Sequence, residues 1–310
     1  MDENQKPEFI RLLQAFQEAR EHDDVKAAES LAVQCLAFVA EEAARNPSDR
    51  LRLIEEAIEH EKVAGWEQAE AVRRRVLALA ETEANPVMIY KAHTDLCNLY
   101  TIRGLTNPAL QEARAAADAA RKSDITMLLG TALGELSRCY LAEGDVASAA
   151  AAAEEAVQSI PAEKTHGIQR ARALLMRARC RIMQRQLAEA QGDLDVAWDL
   201  LQPLAEASMF AGVQSGLASW WENTARIRAE SKDLAGAVEA WGKAVEFRRA
   251  VSQLPQLEGP YQYFSLAKTL HEYSAALSAA GKIQEAVRAF DESRNIHEKT
   301  GTEPAPQETP

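Results

Sequence analysis

The stretch that decides the fold is LGELSRCYLAEGDVASAAAAAEEAVQSIP, Leu133–Pro161. Its first part places large side chains at Leu133, Leu136 and Tyr140. A Gly-Asp pair, which is a turn signal, interrupts the pattern at residues 144–145. The second part is dominated by alanine, the strongest helix former, and it ends at a proline. The stretch is therefore typical of two helices joined by a short turn.

The composition of the whole chain agrees with this interpretation. Of 310 residues, 47% are hydrophobic but only 6% are aromatic. Alanine makes up roughly a fifth of the residues, which is well above its ordinary share. With 14 Gly and 11 Pro, the chain has few turn signals for its length. This composition indicates many helices joined by short loops, and it argues against a disordered chain and against a mainly β fold.

The stretch resembles a tetratricopeptide repeat (TPR), a helix–turn–helix unit of 34 residues. That family places a large residue at position 4, leucine at 7, a small residue at 8, tyrosine at 11, alanine at 20 and proline at 32. In this chain those positions hold Leu133, Leu136, Ser137, Tyr140, Ala149 and Pro161. The departure is at position 24, where Ala153 stands in place of a large side chain.

The small residue of position 20 recurs along the chain at intervals of 40 to 49 residues. It falls at Ala28, Ala69, Ala109, Ala149, Ala190, Ala237 and Ala286. The long interval is similar to the long-repeat variety of TPR found in kinesin light chains. We predict one TPR-like superhelix over residues 1–300 and a disordered, Pro-rich tail over 301–310. The predicted repeat cores are 9–42, 50–83, 90–123, 130–163, 171–204, 218–251 and 267–300.

The resemblance also explains the alanine content. Small residues at positions 8 and 20 let the two helices of one repeat approach closely, and larger residues at positions 4, 7, 11 and 24 fill the remaining space. One helix pair cannot bury its apolar face alone, so neighbouring pairs stack. The resemblance therefore implies an all-α fold, a right-handed α-solenoid of about seven helix–turn–helix repeats.

Charge and motifs exclude several classes of function. The formal net charge of −12 argues against a nucleic-acid partner, because phosphate binding needs a positive surface. No stretch approaches the ~18 consecutive apolar residues of a transmembrane helix, so we expect no membrane insertion. The four cysteines form no CxxC pair and the histidines form no ligand set, so no metal or cofactor is predicted. Because no catalytic motif occurs, we predict that the protein is not an enzyme.

In TPR proteins the first helix of each repeat lines a concave groove, with positions 2, 5, 9 and 12 facing it. Carried onto this sequence, the resemblance implies a groove rich in Arg and Asn, which suit the carboxylates and backbone of an extended acidic peptide. The alternative is an ordinary solvated surface in which Glu135 and Glu222 pair with Arg138 and Arg226. The candidate residues are Lys91, Thr94, Asn98, Thr101, Arg138, Arg172, Arg179, Glu222, Arg226, Lys268 and His271.

Two long linkers, 205–217 and 252–266, separate the last three cores. The second linker contains aromatic residues at Tyr261, Tyr263 and Phe264. These side chains are candidates for a pocket wall or a protein interface, where tyrosine is enriched. The alternative is that they tuck against the adjacent repeat. The sequence leaves open whether the linkers occlude the groove.

The function that these observations favour is a non-enzymatic adaptor or scaffold that binds an acidic peptide or protein segment in its groove. A second hypothesis is an assembly subunit that acts through self-association or its C-terminal helix. A third is a module that senses a signalling peptide. Scattered thiols and the lack of a visible signal peptide lead us to expect a cytoplasmic location.

Overall fold

The computed structural model describes residues 66–82, 84–162, 166–207, 211–253 and 260–302, together with seven isolated positions between 11 and 34. Most of the predicted core 9–42, the first half of core 50–83 and residues 303–310 of the predicted tail lie outside the described residues. The chain forms two compact units, Met1–Leu96 and Cys97–Pro310. The single superhelix over 1–300 stays a prediction.

Every secondary-structure element within the described ranges is a helix. The eleven helices that these ranges contain follow one another with short connections. They are α1 (Trp66–Thr82), α2 (Pro86–Ile102), α3 (Thr106–Lys122), α4 (Thr126–Ala142), α5 (Val146–Ser159), α6 (Gly167–Met183), α7 (Leu187–Ala207), α8 (Ala211–Glu230), α9 (Leu234–Ser252), α10 (Pro260–Ala279) and α11 (Ile283–Thr300).

The first unit contains α1 and the part of α2 that ends at Leu96. Asn85 starts α2, since its side-chain Oδ1 accepts hydrogen bonds from the backbone N–H groups of Val87 and Met88. Arg73 of α1 donates a hydrogen bond to the carbonyl oxygen of Asp95. That bond joins the two helices that are described in this unit.

In the second unit the turn inside each hairpin repeats at the same place. The fifteenth residue of each predicted core from the third to the seventh has a positive φ, between 60° and 81°. The next helix then begins two residues later in every case. This constant spacing agrees with the predicted register of these five cores, and the bounds of the cores stay a prediction. The five turn residues are Gly104, Gly144, Arg185, Lys232 and Gly281.

The close contact between paired helices also matches the repeat pattern. Ser137 Oγ donates a hydrogen bond of 2.8 Å to the carbonyl oxygen of Ala149, which connects positions 8 and 20 of one core. Ser274 makes the equivalent bond of 2.9 Å to Ala286 in the last core. Only small side chains permit such contacts between helix backbones. The alanine content is therefore a packing requirement, as the sequence predicted.

Helices account for most residues of the two long linkers, 205–217 and 252–266. Helix α7 continues to Ala207 and α8 already begins at Ala211, while α9 continues to Ser252 and α10 begins at Pro260. Most of the predicted linker residues therefore extend helices, and only 208–210 and 254–259 lie outside the described residues. No helix in the described ranges is both long and apolar enough to cross a bilayer.

Candidate functional site

The first helices of successive hairpins in the second unit enclose a cavity of about 260 Å³. Its walls come from α4, α6, α8 and α10, with additional residues from the ends of α2 and α3 and from α9. Cations outnumber carboxylates two to one in the lining, although the whole chain carries a net charge of −12. The charged lining residues are Arg138, Arg172, Arg179, Arg226, Arg248 and Lys268 against Glu135, Glu222 and Glu272.

One wall of the cavity carries an arginine–glutamate pair within α4. Arg138 Nε donates to Glu135 Oε2 at 2.8 Å, and Arg138 Nη1 donates to Thr101 Oγ1 at 3.2 Å. The side chains of Arg138 and Glu135 are 19% and 22% exposed. Burial would raise the pKa of Glu135, but the charges of Arg138 and Arg172 outweigh it and hold this pKa below its usual value.

Arg172 is more accessible than the other cation of this wall, Arg138. Its guanidinium lies 3.9 Å from Glu135 Oε1, and its side chain is 53% exposed. A distance of 3.9 Å exceeds that of a direct hydrogen bond. Arg172 is therefore only loosely held by the protein, and an anion that enters the cavity can contact it.

A second pair lies in another part of the lining and joins three helices. Arg248 Nε of α9 donates to Glu222 Oε1 of α8 at 2.9 Å, and Thr269 Oγ1 of α10 donates to the same oxygen at 2.8 Å. Arg248 also donates to Ser219 Oγ at 3.0 Å. Burial raises the pKa of Glu222, but the arginine charges and these bonds outweigh it and lower this pKa.

The sequence suggested Arg226, one helical turn away, as a partner of Glu222. The charge of Arg226 helps to lower the pKa of Glu222, and Arg248 and Thr269 donate direct hydrogen bonds to its carboxylate. The guanidinium of Arg226 lies over the ring of Trp241, 4.8 Å from its centroid. Stacking on a buried tryptophan favours this position through a cation–π interaction.

The aromatic residues of the second linker separate into two groups. Tyr261 and Phe264 line the cavity, whereas Tyr263 does not. Burial raises the pKa of the Tyr261 hydroxyl, and the charges of Arg138 and Glu135 also act on it. Tyr261 thus lies close to the α4 wall although it belongs to α10. Phe264 is 6% exposed and packs beside His297, with 6.0 Å between the ring centroids.

The predicted groove residues also separate into those that line the cavity and those that do not. Thr101, Arg138, Arg172, Arg179, Glu222, Arg226 and Lys268 all line the cavity. Asn98 and His271 belong to the second unit but not to the lining, and His271 packs beside Phe290, with 5.9 Å between the centroids. Lys91 and Thr94 belong to the first unit, where Thr94 Oγ1 donates to the carbonyl oxygen of Tyr90.

Sequence reasoning missed Arg248 and Asn223. Arg248 lies on the second helix of its hairpin, and the family pattern assigns the groove to first helices. Asn223 is 3% exposed, and its Nδ2 donates a 3.0 Å hydrogen bond to the carbonyl oxygen of Leu175. This bond ties α8 to α6 beside the cavity. In the sequence, Asn223 is visible only as an asparagine at position 6 of the sixth core, and its burial is known from the structure.

The three described cysteines are buried, free thiols, as expected for small packing residues. Cys97 Sγ lies 3.6 Å from Cys139 Sγ, and Cys180 Sγ lies 3.6 Å from Ser137 Oγ. Cys139 lines the cavity. Within the described residues, no three His, Cys, Asp or Glu side chains converge as a metal site requires.

Comparison with known proteins identifies the fold. No protein-family model matches the sequence. No curated protein sequence matches it. Among solved structures, BtubC (BKLC) from P. vanneervenii is 22% identical with a TM-score of 0.51, and the match covers 78% of this chain and 95% of that one.

Two further structures are similar at lower TM-scores. A putative kinesin light chain of Podosopora anserina with nearly identical TPR-like repeats is 22% identical, with a TM-score of 0.43 over 70% of this chain and 98% of that one. The apo form of RapI is 14% identical, with a TM-score of 0.44 over 94% of this chain and 77% of that one. The match to BtubC shows the fold: the described residues form an all-α, TPR-like fold of stacked helical hairpins, as the sequence predicted.

Proposed function

We propose that this protein is a non-enzymatic interaction scaffold whose second unit binds an acidic peptide segment in the cavity. The observation that carries the proposal is the excess of cations in the lining of an otherwise acidic protein. A cavity with low-dielectric walls concentrates the field of the charges that line it, so it attracts anionic ligands locally.

The arrangement of the cations suits a chain with several carboxylates. Arg172 on α6 is exposed to an incoming ligand, and Arg226 and Lys268 follow on α8 and α10. Arginine binds a carboxylate through two parallel hydrogen bonds when the geometry permits. A few such contacts, each reduced by solvent, give binding in the range of about micromolar Kd.

The test uses a short fluorescent poly-glutamate peptide and a poly-glutamine peptide of equal length. We expect the wild-type protein to bind poly-glutamate selectively, and Arg172→Glu to weaken this binding about tenfold, as measured by fluorescence anisotropy. Arg294→Glu is the matched control, since Arg294 is 59% exposed on α11, outside the cavity lining. Equal binding of the two peptides, or unchanged affinity of Arg172→Glu, would contradict the proposal.

A second candidate function is self-association through α11. Ile283, Val287 and Phe290 recur at helical spacing and are 57%, 53% and 45% exposed, so they form an apolar stripe on this helix. A twofold dimer would bring the stripes of two copies together and bury these three side chains. Sedimentation should then show a dimer that Val287→Glu dissociates, and a wild-type monomer throughout the micromolar range would contradict this candidate.

A further inference from the structure

The cavity holds two glutamates of its own that bind arginine, and the protein holds them with different strength. Glu222 accepts hydrogen bonds from Arg248 and Thr269, which lie on two other helices, and its side chain is 13% exposed. Glu135 accepts from Arg138 of its own helix, and its side chain is 22% exposed. Moving Glu222 would disconnect three helices, whereas moving Glu135 would break a hydrogen bond within one helix.

The second carboxylate oxygen of Glu135, Oε1, makes the weakest of the ionic contacts in the α4 wall. Glu135 Oε1 lies 3.9 Å from Arg172 Nη2, and Arg172 is itself half exposed. An ion pair with an exposed partner contributes little to stability. Arg138 keeps its hydrogen bonds to Thr101 Oγ1, at 3.2 and 3.3 Å, when Glu135 turns away. The guanidinium of Arg138 would therefore stay in place.

We infer that Glu135 is a resident competitor of the ligand. Its carboxylate occupies the site between Arg138 and Arg172 that a carboxylate of the bound peptide enters, and its charge sets how tightly the cavity holds an acidic ligand. Glu222 has no such role, because its three-helix contacts make it part of the wall. This inference rests on the function proposed above and adds the residue that limits affinity.

The variant Glu135→Gln tests the inference, because it keeps the shape of the side chain and removes the competing charge. We expect it to bind the fluorescent poly-glutamate peptide about fivefold more tightly than the wild type. The matched control is Glu155→Gln, which removes one negative charge from a pair with Arg121 outside the cavity. That control should change the affinity by less than about twofold. Glu135→Ala, which also removes the charge, serves as a second variant if circular dichroism shows that Glu135→Gln is unfolded.

The outcomes separate this inference from the proposed function. If wild-type protein binds poly-glutamate and Glu135→Gln binds no more tightly, the inference is wrong and the function stands. If Glu155→Gln tightens binding equally, the effect is one of net charge, and the inference is also wrong. If neither the wild type nor Glu135→Gln prefers poly-glutamate to poly-glutamine, both the inference and the proposed function fail.

Discussion

Helix α6 carries arginines on two faces, and the two sets have different surroundings. Arg177 and Arg181 both contact Asp193 of α7, where Arg177 Nη2 lies 2.6 Å from Asp193 Oδ1 and Arg181 Nη1 lies 2.7 Å from Oδ2. Asp193 is 4% exposed. Arg172 and Arg179 instead line the cavity. The same residue type on one helix thus clamps two helices together on one face and supplies charge to the cavity on the other.

The largest effect should come from breaking the clamp. Asp193→Ala leaves the guanidinium groups of Arg177 and Arg181 next to each other without their shared carboxylate. Removing one partner of a buried ion pair costs about 3–5 kcal/mol, so we expect a loss of this size in the free energy of unfolding measured with urea. Asp195→Ala is the control, since Asp195 is exposed on the same helix and accepts a hydrogen bond from Gln191 one turn away. Equal stability of the two variants would show that the Asp193 contacts do not act as a clamp.

A smaller loss should follow when the cavity side of α6 is disconnected from α8. Asn223→Ala removes the buried hydrogen bond to the carbonyl oxygen of Leu175. The Leu175 carbonyl keeps its backbone hydrogen bond within α6, so the variant loses one buried hydrogen bond, which costs about 0.5–1.5 kcal/mol and which thermal unfolding would detect. Gln191→Ala is the control, because Gln191 is exposed and makes its hydrogen bond within α7. If Asn223→Ala melts at the wild-type temperature, α8 is held to α6 by other contacts.

Acid should weaken the cavity walls by a few degrees in melting temperature. The pKa values of Glu135 and Glu222 are lowered in the folded protein, so their contribution to stability is present above the usual carboxyl pKa of about 4.3 and is lost as the pH falls through the folded value. In Glu222→Gln the melting temperature should therefore fall less steeply below about pH 4 than in the wild type. Parallel pH profiles of the two proteins would contradict this expectation.

The smallest changes in stability should come from two glycine substitutions, one in a hairpin turn and one inside α7. Gly144 has a φ of +81° and a methyl group added at its Cα would meet nothing within 4 Å, so Gly144→Ala adds only backbone strain, about 1 kcal/mol. Gly192 lies inside α7 next to Asp193 with equally open space. Gly192→Ala should therefore stabilise the protein by about 0.5–1 kcal/mol. If urea unfolding shows that both variants are less stable than the wild type, the effect comes from steric clash of the added methyl group and not from the backbone φ angle.

Sequence reasoning was sufficient for the parts of the fold that depend on local chemistry. The Gly144 turn and the contact of Ser137 with Ala149 follow from the repeat pattern, and both occur in the structure. Phe290 and Trp241 stand at position 24 of the last two cores, which the pattern assigns to packing between helices, and only Trp241 is buried. Phe290 is 45% exposed on the last described helix, whereas Trp241 at the same repeat position is 4% exposed. A repeat position therefore predicts burial only where further helices cover it.

The set of residues that line the cavity could not be predicted in full, because it depends on how distant helices are arranged. Which residues meet across it is decided by how far each hairpin rotates on the previous one, and no local pattern encodes that rotation. Arg248 reaches the cavity from a second helix, and Tyr261 lies close to Arg138 although the two are far apart in sequence. The family pattern placed most of its groove candidates in the lining, but it could not show that Arg138 and Glu222 are already bound to side chains of other helices.

The buried thiols of this protein can report local unfolding of its repeats. Cys97, Cys139 and Cys180 lie in three successive repeats and are 1%, 2% and 0% exposed. A thiol reagent can alkylate each one only when its own part of the stack separates. Because stacked repeats unfold in units that depend on their neighbours, the order of alkylation under native conditions would report which repeat opens first. The wild-type chain thus needs no engineered label for kinetic mapping of its repeats.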